Sequence, residues 1–135
     1  MNFQLDIISL EGTIYSGEAK KIKVPSIEGE MVVLARHMPV VTALTLGEVI
    51  VTTPNKNIFL SIGKGILEFS KGRARLLIED VKNADEISEE KVLEAKRKAE
   101  ELIVKGVSEE EKIKASYTLR RSLVDLKLLR KKKLI

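Results

Sequence analysis

The chain has no cysteine, no tryptophan, a single histidine and three prolines in 135 residues. Without cysteine, structural disulfides and thiolate metal sites are excluded. One imidazole, His37, cannot supply the ligand cluster that zinc or a redox metal needs. A nucleophile elbow of the Gly-x-Ser-x-Gly type is missing, and no serine and carboxylate pair is marked out beside His37. No catalytic residue, metal site or cofactor is assigned. No apolar run reaches the roughly 18–20 residues that a membrane-spanning helix requires. The opening residues Met1-Asn2-Phe3-Gln4-Leu5-Asp6 have neither a basic n-region nor an apolar h-region, and an Arg- and Ser-rich transit segment is absent as well. The expectation is a mature cytoplasmic chain.

What is present fits one cored domain with an appendage. The chain is 44% hydrophobic and 33% charged, which is ordinary for a soluble globular protein. Its net charge of +4 conceals a division along the sequence. Residues 1–84 hold 10 basic and 9 acidic side chains, and residues 85–111 hold 5 basic and 10 acidic ones. Residues 112–135 hold 9 basic side chains against Asp125 alone. The positive charge belongs to one segment.

From Phe3 to Glu79 the pattern is that of short strands between turn signals, which predicts an antiparallel β-sandwich or barrel. Phe3, Leu5 and Ile7 alternate with Gln4, Asp6 and Ile8, and Ile22 and Val24 with Lys21 and Lys23, until Pro25 is expected to end that strand. The central stretch runs from Glu28 to Leu44. Gly29 supplies a turn, Met31 to Leu34 read as a buried strand, and Arg36 to Pro39 read as a bend, because Pro39 disfavours helix at Met38. Val40 to Leu44 resume the strand, and Leu46-Gly47-Glu48 turn it into the next. Gly63-Lys64-Gly65 is read as a turn, since the remainder of a phosphate-binding loop is missing and its flanks are strand-like. His37 is read as a corner residue bonded to backbone.

Around Asp85 the period changes from 2 to 3.6. Ser88 is the expected N-cap of a first helix, whose stripe is Val92, Ala95, Ala99, Leu102 and Ile103, and Gly106 suits its end. Ser108 and Glu111 form a capping box for a second helix with Ala115, Leu119, Ser122, Leu126 and Leu129 on one face. Small residues on both stripes predict a close antiparallel hairpin. The fold class is α+β, with a β-sandwich over residues 1–84 and a two-helix hairpin over 85–135. The basic end of the hairpin admits three readings: a solvated helix face, a nucleic-acid contact, or a contact with an acidic protein surface. Tyr117 is the one aromatic there, so a base-stacking platform is absent.

The residues Glu28-Gly29-Glu30, His37-Met38-Pro39, Leu46-Gly47 and Gly63-Lys64-Gly65-Ile66-Leu67-Glu68 stand in an order that resembles the epsilon subunit of bacterial F-type ATP synthases (delta in mitochondria). Ala35-Arg36 departs from the Pro-Gly that family members often carry before the histidine. The resemblance implies a non-catalytic rotor subunit on the cytoplasmic face of a bacterial membrane. Its partners would be the gamma subunit, the c-subunit ring and the alpha/beta catalytic head. It would couple gamma to the c ring in proton-driven ATP synthesis and limit ATP hydrolysis through a hairpin with folded and extended states. By the same resemblance Glu28, Glu30, His37 and Leu44 belong to the rotor-contact region, and Arg120, Arg121, Lys127 and Arg130 to the inhibitory contact with beta. Some members bind ATP in the folded hairpin through an Ile-Asp-x-x-Arg-Ala motif and two arginines. Here the motif reads Ile87-Ser88-Glu89-Glu90-Lys91-Val92, and Arg121 is retained while Asp125 takes the second arginine position. A carboxylate where a triphosphate needs a cation predicts weak or no ATP binding. The alternative reading is a stand-alone nucleic-acid-binding protein using the basic helix.

Overall fold

In the computed structural model, which describes residues 1–134, ten strands are followed by a short 3-10 turn and two helices. The strands are β1 (Phe3–Ser9), β2 (Gly12–Ala19), β3 (Lys21–Ser26), β4 (Gly29–Leu34), β5 (Val40–Leu44), β6 (Gly47–Thr52), β7 (Asn57–Ile62), β8 (Lys64–Ser70), β9 (Arg73–Glu79) and β10 (Lys82–Asn83). The chain separates into two compact units, Met1–Asn83 and Ala84–Ile135, so the division falls one residue before the expected one.

The strands follow one path, β10-β7-β6-β3-β5-β8-β9-β1-β2, with β4 paired to β3 beside it. The path doubles back where β3 changes partner. Lys21 to Lys23 pair with β6, whereas Ser26 pairs with Leu44 of β5. Two layers result, and alternate residues of each meet in one core. Phe3, Leu5 and Ile7 of β1, Ile22 and Val24 of β3, Val49 and Val51 of β6, Leu67 and Phe69 of β8, and Ala74, Leu76 and Ile78 of β9 are buried there together. The rings of Phe3 and Phe69 meet edge to face at 5.7 Å.

Several local expectations are corrected. Strand β3 does not end at Pro25 but continues to Ser26. Pro25 lies beyond the pairing of β3 with β6 and stays in register with Glu30 of β4, and its carbonyl accepts from Thr45 N at 2.8 Å. Gly47 makes the crossing possible, since a Cβ there would lie 2.7 Å from that of Pro25. Met31 to Leu34 are not wholly buried. Val33 is buried in the core and Met31 packs half-buried against it, while Val32 and Leu34 point outward from a strand paired with β3. The Gly63-Lys64-Gly65 turn shrinks to Gly63, because β8 begins at Lys64. Strands β1 and β9 pair in parallel, whereas the other pairings described are antiparallel.

The second unit opens with a 3-10 turn at Ala84–Glu86 and continues as α1 (Glu89–Val104) and α2 (Glu109–Leu134). Ser88 caps α1 by accepting from Lys91 N, and Gly106 takes a φ of 67° after its last turn. The Ser108 hydroxyl accepts from Glu111 N at 3.3 Å and lies 3.5 Å from the Glu111 carboxylate. Val92 and Ala99 are buried on α1. On α2 the buried face is Ala115, Arg121, Ser122, Asp125 and Leu128, with Leu119, Leu126 and Leu129 only half-buried. The expected face is rotated because two charged residues turned inward.

Candidate partner surfaces

The corner at 35–39 forms as the backbone chemistry requires. His37 N donates to the Leu34 carbonyl at 3.0 Å, closing a turn before Pro39. The ring Nδ1 donates to the Met38 carbonyl at 2.8 Å, and the ring meets Phe69 edge-on at 6.0 Å. His37 is thus half-buried and held by backbone and one aromatic ring. Glu28 is exposed at the Ile27-Glu28 turn, and Glu30 is exposed on β4 with its carboxylate 2.8 Å from Lys23 Nζ. Leu44 lines the groove described next but is otherwise turned inward. It is 3% exposed and packs in the core, because strand alternation turns Ala43 outward and Leu44 inward.

The outward neighbours of that position form a surface that sequence reasoning missed. Register places Ala43 opposite Ile66, Ile66 opposite Leu77, and Leu77 opposite Ile8. Four apolar residues therefore stand in one row across β5, β8, β9 and β1. Ile66 is 46% and Leu77 41% exposed, and Leu10 at the end of the row is 88% exposed. They line an open groove of about 520 Å³ with Lys64 and Glu79 at its rim. In the neighbouring row Glu68 stands opposite Arg75 and Arg75 opposite Asp6, with the exposed Val41 at its β5 end. Antiparallel sheets that face water normally carry polar side chains outward, so a single apolar row marks a contact surface. The signal in the sequence was the broken alternation of Ile66-Leu67 and Leu76-Leu77-Ile78.

On the hairpin, Arg120, Lys127 and Arg130 are exposed on α2. Arg121 differs. It is 4% exposed and Asp125 is 1% exposed, and Arg121 Nε lies 3.5 Å from the Asp125 carboxylate one turn on. Its Nη1 also donates to the Tyr117 hydroxyl at 3.4 Å. Burial of both partners is tolerated because each neutralises the other. Ser122 completes the polar lining by donating to the Thr118 carbonyl at 2.7 Å.

The remaining residues of the degenerate nucleotide motif are dispersed in character. Ile87 is half-buried before the cap, Lys91 is exposed in the first turn of α1, and Arg121 is engaged by Asp125. A groove of about 310 Å³ between the helices is lined by Ala95, Ala99, Leu102, Ala115 and Thr118 together with the charged Lys98, Glu111 and Lys114. At the open end of the hairpin Lys132 pairs with Asp85, and Lys133 with Glu89 at 3.4 Å. Among the described residues, no group of His, Cys, Asp or Glu is placed to hold a metal, and no helix is long and apolar enough to cross a membrane.

A family model described as the ATP synthase Delta/Epsilon chain beta-sandwich domain matches residues 2–84. Among solved structures, the chain resembles one in the Euglena gracilis mitochondrial ATP synthase, in an OSCP/F1/c-ring structure in rotational state 1. The identity is 23% and the TM-score 0.80, with 88% of this chain and 76% of that chain covered. It also resembles a chain in the central stalk/c-ring structure of the Tetrahymena thermophila mitochondrial ATP synthase. There the identity is 11% and the TM-score 0.66, over 93% of this chain and 95% of that one.

Proposed function

The chain belongs to the ATP synthase delta/epsilon family, and from that premise we propose that it is a non-catalytic central-stalk subunit that joins gamma to the c ring. The observation that carries this reading is the apolar row Ala43, Ile66, Leu77 and Ile8 with Leu10 beside it, a surface suited to a partner subunit. Glu28, Glu30 and His37 lie in the matching signature and are assigned to the rotor-contact region. In this proposal the subunit is peripheral to a bacterial membrane, on its cytoplasmic side, through the complex it joins. It serves proton-driven ATP synthesis.

The hairpin is assigned the restraint of hydrolysis. Arg120, Lys127 and Arg130 are the exposed cations available to an acidic loop of the beta subunit, and Arg121 joins them only when the hairpin leaves its folded state. A conditional inhibitor needs two states of comparable free energy. Binding of ATP is not part of the mechanism, because Asp125 already occupies the guanidinium of Arg121. The nucleic-acid alternative is not favoured by the family match over residues 2–84.

The test is ATP hydrolysis by the cognate soluble head complex, reconstituted with the full chain or with residues 1–84. The shorter piece retains every residue of the sandwich core. Gamma binding by both, with slower hydrolysis only for the full chain, is the expected result. Failure of both to bind gamma overturns the assignment, and steeply salt-dependent nucleic-acid binding would then support the alternative.

A further inference from the structure

The hairpin separates its charges by segment, acidic at its start and basic at its end, and folding brings the two ends together. Lys132 Nζ contacts the Asp85 carboxylate, and Lys133 Nζ lies 3.4 Å from that of Glu89. We propose that Asp85 and Glu89 form an ionic clasp that withholds the basic end of α2 from any acidic protein surface. The acidic start of the hairpin is then an internal competitor for the site an acidic partner would use. This rests on the two-state hairpin of the proposed function, and it adds what sets the balance.

The geometry favours a competitor over a permanent brace. Each partner is substantially exposed, from 38% for Lys132 to 70% for Asp85 and Lys133. Exposed pairs are individually weak and screened by salt, so they exchange readily. Being on one chain, they meet at a high effective concentration, which a separate acidic surface must exceed. The apparent affinity for that surface falls in proportion to the fraction of chains with the clasp open. Neither partner is in the sandwich, so the device acts within residues 84–135.

The test uses the full chain with spin labels at Leu93→Cys and Leu134→Cys, positions free of competing thiols because the chain has no cysteine. Poly-L-glutamate serves as the acidic probe. In the Asp85→Asn/Glu89→Gln double variant the inter-label distances lengthen, and poly-L-glutamate binds about three- to tenfold more tightly. The exchange variant Asp85→Lys/Lys132→Asp restores the short distances. Unchanged distances and affinity in the double variant overturn the clasp. So does lengthening that the exchange does not reverse, which would mark structural damage instead of lost ion pairing. If the double variant grips poly-L-glutamate more tightly but the full chain fails to slow hydrolysis, the clasp stands and the inhibitory reading falls. If the full chain slows hydrolysis while the double variant leaves distances and affinity unchanged, the reverse holds.

Discussion

Replacing Asp125 by Asn tests whether the buried pair holds the hairpin together. The substitution keeps the side-chain volume and removes the charge that faces Arg121 at 3.5 Å. Both groups are under 5% exposed, so a guanidinium that has lost the charge of this carboxylate has no ready access to water. Breaking a buried pair from one side costs about 3–5 kcal/mol. The Tyr117 hydroxyl at 3.4 Å cannot neutralise a cation and offsets little of this. In the proposed two-state hairpin Arg121 has an escape that a core residue lacks, since opening would release it to solvent. The observed loss is therefore capped by the stability of the folded hairpin, and the helical transition, not the sandwich, should move. Thermal melting followed by helical circular dichroism is expected to split. The helical signal falls at a midpoint lower by on the order of 10 °C, while the β-sheet signal keeps its own midpoint. The double variant Arg121→Met/Asp125→Leu should recover most of the loss, since apolar residues of similar volume replace buried pairs at little cost. A single Asp125→Asn variant that melts like the parent chain refutes the reasoning.

Leu77→Glu changes a side chain that is 41% exposed, so the melting point of the sandwich should hardly move. Gamma binding, measured by calorimetry, should weaken by about tenfold or more, as for a central interface residue; equal affinity would remove the apolar row from the interface. Gly65→Ala should destabilise the sandwich by about 1–3 kcal/mol, because its Cβ would lie 2.5 Å from the Leu77 carbonyl oxygen and 2.6 Å from Ile78 Cγ2. Urea unfolding followed by sheet circular dichroism measures it. Titration with Mg-free ATP should give no micromolar binding, and a micromolar dissociation constant would show that Arg121 is available after all. Ser88→Ala removes the acceptor of Lys91 N and should cost the first helix about 1 kcal/mol, visible as faster amide exchange in its first turn.

Much of this fold was legible because its signals are local. Alternation in Phe3 to Ile7, the bend before Pro39, the caps at Ser88 and Ser108 and the stop at Gly106 each follow from a few adjacent residues. Pairing is not local, and that is where expectation and structure part. Nothing in Lys21 to Ser26 announces that β3 serves two layers and so tolerates Pro25 near its end. The parallel register of β1 with β9 joins residues about seventy positions apart. The candidate site divides in the same way. His37 as a backbone-bonded corner was readable from its neighbours. The row Ala43, Ile66, Leu77 and Ile8 exists only once four strands are in register.

The two units rest on different physics, and this explains why a charge can govern one of them. Seventeen buried apolar residues form the sandwich core, many of them Ile, Leu, Val or Phe. Full burial of such a side chain contributes about 1.5–3 kcal/mol, so no exposed ion pair is decisive there. In residues 84–134 the buried apolar residues are Ala84, Val92, Ala99, Ala115 and Leu128, of which three are alanines. Their combined contribution is small enough that one buried Arg121–Asp125 pair is of similar size, and the weaker exposed pairs at the open end still shift the balance. Substitutions among charged residues of the hairpin should therefore shift a conformational balance, whereas those on the sandwich should change binding and leave its fold intact. The clasp and the buried pair act in the unit where electrostatics competes on equal terms with burial.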